Sequence, residues 1–272
     1  MVRASRPEGE SSLTQTRFEV RRWLETDEIR TIEYSAYWND ETAEQAKDWW
    51  TLDGDFTRME AYLAEQTTLA RELDDLLGEI PPRGTGADLA AGTLWAIPRL
   101  VAHGAEKVYA VEFSEHRLLK LGPHLLSHFG VPAERVVLCL GSFYDLRLED
   151  DSLDFVLLAQ ALHHADRPER LLAEIARVLR PGGTLYVIGE HLVDDPRVSL
   201  RRRLAASLPA FLQLRLFGRI VPRSPELPVD PVVGDHHYFR RDYKRMLAAA
   251  GFAMSSEHVY ARTRSFWATL KS

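Results

Sequence analysis

The stretch Gly86-Ala87-Asp88-Leu89-Ala90-Ala91-Gly92-Thr93-Leu94 decides the fold. Its first half has the length and apolar character of a strand, and its second half is a run of small residues with no charge after Asp88. Small residues between a strand and a helix let a ligand approach the backbone at the edge of a sheet. Outward from this strand, Gly86 to Ala90, apolar runs of similar length recur at Lys107 to Glu112, Arg135 to Leu140, Leu153 to Ala159 and Thr184 to Gly189. Amphipathic segments separate them, and that alternation predicts crossover units around a parallel sheet. The clearest helix lies between the fourth and fifth runs. Asp166 is its expected N-cap, Glu169 follows three positions later, Leu171, Leu172, Ile175 and Val178 share one face, and Arg180-Pro181-Gly182-Gly183 is its stop. A late helix at Arg241 to Ala250 and β-like runs around Val259 and Phe266 complete a seven-stranded sheet.

Toward the N-terminus, residues 1 to 12 are polar, and Phe18, Val20, Trp23 and Leu24 suggest a short helix ahead of the aromatic residues Tyr34, Tyr37 and Trp38. From Thr57 onward Met59, Tyr62, Leu63, Leu69, Ala70, Leu73, Leu76 and Leu77 recur at helical spacing until Pro81-Pro82-Arg83-Gly84 breaks the pattern. The reading is therefore an α/β chain: an N-terminal helical extension or lid over 1–82, then a doubly wound, mostly parallel domain over 83–272 with a helical insertion at about 192–235.

The 272 residues are 45% hydrophobic and 27% charged, an ordinary balance for a globular protein. One cysteine, Cys139, excludes an intramolecular disulfide and a thiolate-rich metal site, which suits a cytoplasmic location. A net charge of −6 argues against nucleic-acid binding through a broadly basic surface. No apolar run approaches the roughly twenty residues of a membrane span, so no integral membrane association is expected.

The second strand ends in Glu112, twenty positions past Gly92, where a carboxylate can accept hydrogen bonds from both hydroxyls of a ribose. The pair points to a nucleoside ligand at the carboxyl edge of the sheet. Asp88 through Leu94 and Val111-Glu112-Phe113-Ser114 resemble the first two motifs of the class I S-adenosylmethionine-dependent methyltransferases, a Rossmann-like family. Gly141-Ser142-Phe143, Ser152-Leu153-Asp154-Phe155-Val156, Gln160-Ala161-Leu162-His163-His164 and the run from Glu174 to Gly183 are similar to its later motifs, in order. The resemblance implies S-adenosylmethionine as cofactor, held by Asp88, Ala90, Gly92, Thr93, Glu112, Phe113, Ser142, Phe143, Gln160 and Ala161. It also implies methyl transfer to a small-molecule acceptor; oxygen is the preferred acceptor atom because histidines are available to take its proton. A nicotinamide dehydrogenase would want Gly-x-Gly-x-x-Gly, which residues 88 to 97 do not supply.

Two positions depart from the family's three alternating glycines. Ala90 is tolerated there at negative φ, and Leu94 is expected to narrow the pocket or displace the methionine moiety. They motivate an alternative reading as a catalytically degenerate S-adenosylmethionine-binding partner or regulatory protein. Ser142 replaces the usual aspartate and gives up a charge-assisted contact to the adenine.

His163 and His164 after the fourth strand, His191 after the fifth, and His236 and His237 before the late helix are the candidate general bases, with Tyr37 from the aromatic segment near the ligand. Packing or loop capping is the competing role for each histidine. Their spacing matches no closed metal motif, so no metal is expected. The insertion carries Arg197, Arg201, Arg202, Arg203, Arg215, Arg219 and Arg223 interleaved with leucines and phenylalanines, which predicts a basic amphipathic helix pair. A lid over an anionic acceptor, a homodimer contact and a membrane-surface helix presenting a lipid-like acceptor all fit it, the first two better than the third.

Overall fold

The computed structural model describes residues 18–32, 35–40, 56–63, 67–192, 204–205, 207–217, 234–236, 238–260 and 262–271. Eight strands form one sheet: β1 (Glu19–Arg22), β2 (Thr85–Leu89), β3 (Lys107–Glu112), β4 (Val136–Leu140), β5 (Leu153–Ala159), β6 (Leu179–His191), β7 (Phe252–Val259) and β8 (Thr263–Leu270). Their order is β1-β4-β3-β2-β5-β6-β8-β7. The pairs from β1 through β6 are parallel, and β8 runs antiparallel to both β6 and β7. The chain winds outward from β2 through β3 to β4, then returns to place β5 on the other flank of β2. Such a reversal opens a crevice at the carboxyl ends of β2 and β5, where α/β folds place their ligands.

The seven expected strands are present, and an eighth adds to them. The segment containing Val20 is strand β1, paired with β4 from Glu19↔Val137 to Arg22↔Leu140, rather than a helix. The reason is tertiary: the edge of β4 pairs with this segment, and Val20 is left 47% exposed. Trp23 continues past the strand, its backbone N–H donating to the Leu140 carbonyl at 2.9 Å, and its ring packs where Gly141 has no side chain.

Helices cover both faces. Leu73, Leu76 and Leu77 of the helix Leu69–Glu79 are fully buried in the core that also holds Phe155 and Tyr186. Glu72 of that helix is equally buried; its carboxylate accepts from the Gly189 N–H at 3.1 Å and from the Thr263 hydroxyl at 2.6 Å, joining helix to sheet. The opposite core contains Leu171, Leu172, Ile175 and Val178 of the helix Pro168–Val178. Its N-cap is Arg167 with Pro168 in the first turn, one residue later than Asp166, whose side chain faces His236 instead. The Pro181-Gly182-Gly183 stop falls inside β6, where the pairing with β5 jumps from Leu153↔Leu179 to Phe155↔Thr184. Of the insertion, the helix Ala210–Phe217 is described, with Phe211, Leu214 and Leu216 exposed. Arg197, Arg201, Arg202, Arg203, Arg219 and Arg223 lie outside the described residues, as do Tyr34 and His237. No described helix is long and apolar enough to cross a membrane.

Candidate active site

The turn after β2 keeps a left-handed backbone at alternate positions: φ is +55° at Ala90, +54° at Gly92 and +69° at Leu94. This corrects both expectations for the departing residues. Ala90 adopts the glycine-like conformation despite its methyl group, at a cost of about 1–2 kcal/mol for an L-residue. Leu94 adopts it too, but its side chain turns away from the crevice into the core, fully buried beside Ile97 and Leu118. It occupies the space at Gly122, where an added Cβ would lie 2.4 Å from Leu94 Cδ1.

Glu112 ends β3 with its carboxylate turned back on this turn. One oxygen accepts from the Gly92 N–H at 2.9 Å, and the other from the Phe113 and Ser114 N–H groups, both at 2.8 Å. A carboxylate offers about four lone-pair sites, so one remains for a ribose hydroxyl. Asp88 is 1% exposed, and neither of its oxygens has a hydrogen-bond partner among the described residues. Burial, with the nearby Glu112 charge adding to it, pushes its carboxyl up to about 8. The native state thus keeps a proton that the unfolded chain has released above about pH 4. Stability is therefore expected to fall as pH rises from about 4 to about 8, by up to about 1.4 kcal/mol per unit, and to level off above. Asp88→Asn should flatten that slope in urea melts of the ligand-free protein; an unchanged slope would mean that Asp88 is not the group responsible.

Ala90, Gly92, Thr93, Glu112, Phe113, Ser142, Phe143 and Gln160 all line one cavity of about 510 Å³, a size ordinary for small-molecule sites. Asp88 lies behind the turn rather than on the cavity wall. Ala161 is fully buried in the core and also stays off the wall. Ser142 uses its hydroxyl to accept from the Tyr144 N–H at 3.2 Å, shaping the turn after β4.

The same cavity continues to Tyr37, His163, His164 and His191, four of the six candidate catalytic residues. His236 is set back from the wall, 3.1 Å from Asp166 through Nε2. The His163 ring is 3% exposed, with Nδ1 at 3.2 Å from Glu190 Oε2. Glu190, on β6, is fully buried and also accepts from the Tyr243 hydroxyl at 2.8 Å and the Leu162 N–H at 3.1 Å. Burial works to lower the affinity of His163 for a proton, but the Glu190 carboxylate outweighs it and the net shift is upward. His164 is shifted down: burial dominates, and Asp235, 2.9 Å from Nδ1, offsets it only in part. Asp235 also meets His191 Nε2 at 3.2 Å. Burial would raise the Asp235 carboxyl, yet the imidazoles of His164 and His191 hold it well below the usual carboxylate range.

Several wall residues carry little signal of their own in the sequence. Trp38 was visible only as one of a set of aromatics; its ring meets His164 edge-on at 5.3 Å, and the Arg117 guanidinium lies 5.1 Å from it. Arg117 sits in an irregular helix after β3, and nothing in its local pattern marks it. Asp235 was legible only as the neighbour of two histidines.

Residues 87–187 match the family model described as "Methyltransferase domain". The chain is 40% identical over 101 residues to an uncharacterised methyltransferase of Mycobacterium tuberculosis, a match covering 37% of each. It is 37% identical over 116 residues to the demethylmenaquinone methyltransferase of Clavibacter sepedonicus, covering 43% of this chain and 44% of the relative. The matched stretch thus spans about two fifths of the length of these curated relatives. Among solved structures, the 1,6-didemethyltoxoflavin-N1-methyltransferase of Burkholderia thailandensis, bound to its substrate and S-adenosylhomocysteine, superposes with a TM-score of 0.56 at 16% identity. That likeness covers 84% of this chain and 90% of the other, and it bears on the fold. The alternating left-handed turn, the acid that closes it and the switch point between β2 and β5 agree with the family match: residues 87–187 form a methyltransferase domain, similar to those of the class I, S-adenosylmethionine-dependent enzymes.

Proposed function

We propose that this protein methylates a hydroxyl oxygen of a small-molecule acceptor, with S-adenosylmethionine as donor. The observation that carries the proposal is one cavity shared by the cofactor turn at Gly92 and Glu112 and the imidazoles of His163, His164 and His191. The small-residue turn, left-handed at Ala90 and Gly92, fits the cofactor, and the buried, unpartnered Asp88 carboxyl lies behind it. Glu112 and Ser142 would hold its adenosine half, with Phe113 and Phe143 beside them. The cofactor supplies a methyl group on a sulfonium, and transfer in line to a nucleophile depends chiefly on alignment and exclusion of water.

The chain's own part is to align the acceptor and remove its proton. His164 is the better base of the buried pair, because burial keeps it neutral near pH 7 while Glu190 favours the charged form of His163. Asp235 then stabilises the imidazolium that His164 becomes. Tyr37, Trp38 and Tyr62 wall the cavity from the N-terminal segment, which supports reading 1–82 as a lid. The insertion at about 192–235, rich in arginine, suits an anionic acceptor. Relatives named for demethylmenaquinone and 1,6-didemethyltoxoflavin support a small-molecule acceptor in general. The case for a catalytically silent cofactor binder rested on Ala90 and Leu94; both keep the left-handed turn and Leu94 stays off the cavity wall, which favours the enzyme.

The test is to incubate the purified protein with S-adenosylmethionine and a panel of hydroxylated acceptors, following S-adenosylhomocysteine release and methylated product by mass spectrometry. Turnover is expected, and His164→Ala should lower kcat by about 10²–10⁴-fold with cofactor affinity unchanged. Absence of binding to either form of the cofactor would overturn the proposal, and an unaffected kcat in the variant would remove His164 as the base.

A further inference from the structure

We infer that His163, His191 and Asp235 form a binding site for one divalent transition-metal ion at the acceptor end of the cavity. Sequence spacing alone points to no metal, because the three residues come from separate places: the turn after β5, the end of β6 and the segment before the helix Arg240–Ala249. The fold gathers them, and one ligand atom from each lies within 4.8 Å of the others.

Three observations support a metal rather than a cluster of hydrogen bonds alone. The first is spacing. Two ligands about 2.1 Å from a common ion stand about 3.0 Å apart at an octahedral angle and about 3.4 Å apart at a tetrahedral one. His191 Nε2 and Asp235 Oδ2, at 3.2 Å, already have that separation, so an ion can replace their direct contact with little movement. A ring nitrogen of His163 lies within 4.8 Å of both, the third corner of the set.

The second observation is the support behind His163. With Nδ1 engaged by Glu190, Nε2 is the nitrogen left to ligate, and Glu190 is itself fixed by the Tyr243 hydroxyl and the Leu162 N–H. A carboxylate behind an imidazole sets its tautomer and raises its basicity toward a metal. The His236 N–H donates to the His163 carbonyl at 2.7 Å, which ties the loop carrying Asp235 to the loop carrying His163.

The third is charge. Glu190 is wholly buried, Asp235 is partly so, and the contacts that answer their charge come from imidazoles, a phenol and the Leu162 N–H. One dication with neutral imidazoles balances two carboxylates. Two imidazoles and one carboxylate suit zinc, iron(II), cobalt or manganese rather than calcium. His164 contacts Asp235 through the other carboxylate oxygen, Oδ1, and is not displaced. Three protein ligands leave positions open toward the cavity, where a hydroxyl or carbonyl oxygen of the acceptor would bind. That role rests on the methyltransferase reading; the binding of the ion does not.

The experiment uses the full chain, freed of metal by a chelator, titrated with Co²⁺ by visible absorption and with Zn²⁺ by calorimetry. S-adenosylhomocysteine binding is measured in parallel. One ion per chain is expected, with d–d bands of low symmetry. Asp235→Asn, which keeps shape at a partly exposed position, and His191→Ala should each weaken metal binding by about tenfold or more, and Glu190→Gln by about 10–100-fold. His103→Ala, remote from the cavity, should bind as the parent does. Circular dichroism and retained S-adenosylhomocysteine binding identify the variants that fold. Absence of stoichiometric binding by either ion, or binding indifferent to Asp235→Asn and His191→Ala, overturns the metal site. If metal binds while S-adenosylhomocysteine does not, the site stands and the cofactor reading falls.

Discussion

Glu112→Ala is expected to lower affinity for S-adenosylhomocysteine by about 100-fold, measured by calorimetry, and to lower the melting temperature of the ligand-free protein as well. The sequence alone suggested a residue that does no more than receive a ribose. In the structure its carboxylate also accepts three backbone N–H groups, one of them from Gly92 in the cofactor turn. A hydrogen bond to a charged group contributes about 1.5–3 kcal/mol, and a tenfold change in affinity is about 1.4 kcal/mol. Losing a ribose contact and the anchor of the turn together therefore reaches about two orders of magnitude. Glu112→Gln should be nearly as damaging, because its amide N–H₂ would face backbone donors on one side. A variant with unchanged affinity would mean that the ribose is held elsewhere and that the turn does not need its anchor.

Leu94→Gly should destabilise the protein although it relieves a strained backbone. The relief is about 1–2 kcal/mol. Against it, deleting a fully buried leucine side chain costs about 2–5 kcal/mol and leaves a void against Gly122 and Leu118. Ala90→Gly removes the same kind of strain with only a methyl group to lose, so its stability should rise by about 0.5–1 kcal/mol or stay level. Urea denaturation of the two variants separates the contributions. If Leu94→Gly were the more stable protein, the packing account of this residue would be wrong.

The parallel core was legible because its strands are short apolar runs broken by amphipathic segments, and the bounds Lys107–Glu112 and Leu153–Ala159 match the sequence reading. Strand β1 was not legible: four residues, Glu-Val-Arg-Arg, have no alternation of their own and become a strand only because β4 offers a free edge. At the site, residues on the strand ends could be read from topology, since the winding of the sheet fixes which ends meet. Eight of the ten residues expected to hold the cofactor accordingly line the cavity. Leu94 was misread for a physical reason: at a positive φ its side chain leaves the turn in a different direction, and nothing in the sequence gives φ. Glu190 and Tyr243, 53 residues apart, meet behind His163 through tertiary folding, which local pattern cannot supply.

Strand β1 also bears on the edge of the sheet. The strand it covers, β4, reads Val-Val-Leu-Cys-Leu, five buried residues without a charge. Uncovered, its row of backbone donors and acceptors would be a ready template for another chain's edge. β1 is short and carries Glu19, Arg21 and Arg22, so the rim it leaves is a poor surface for strand addition. The least conspicuous element of the fold thus replaces an apolar edge with a charged one.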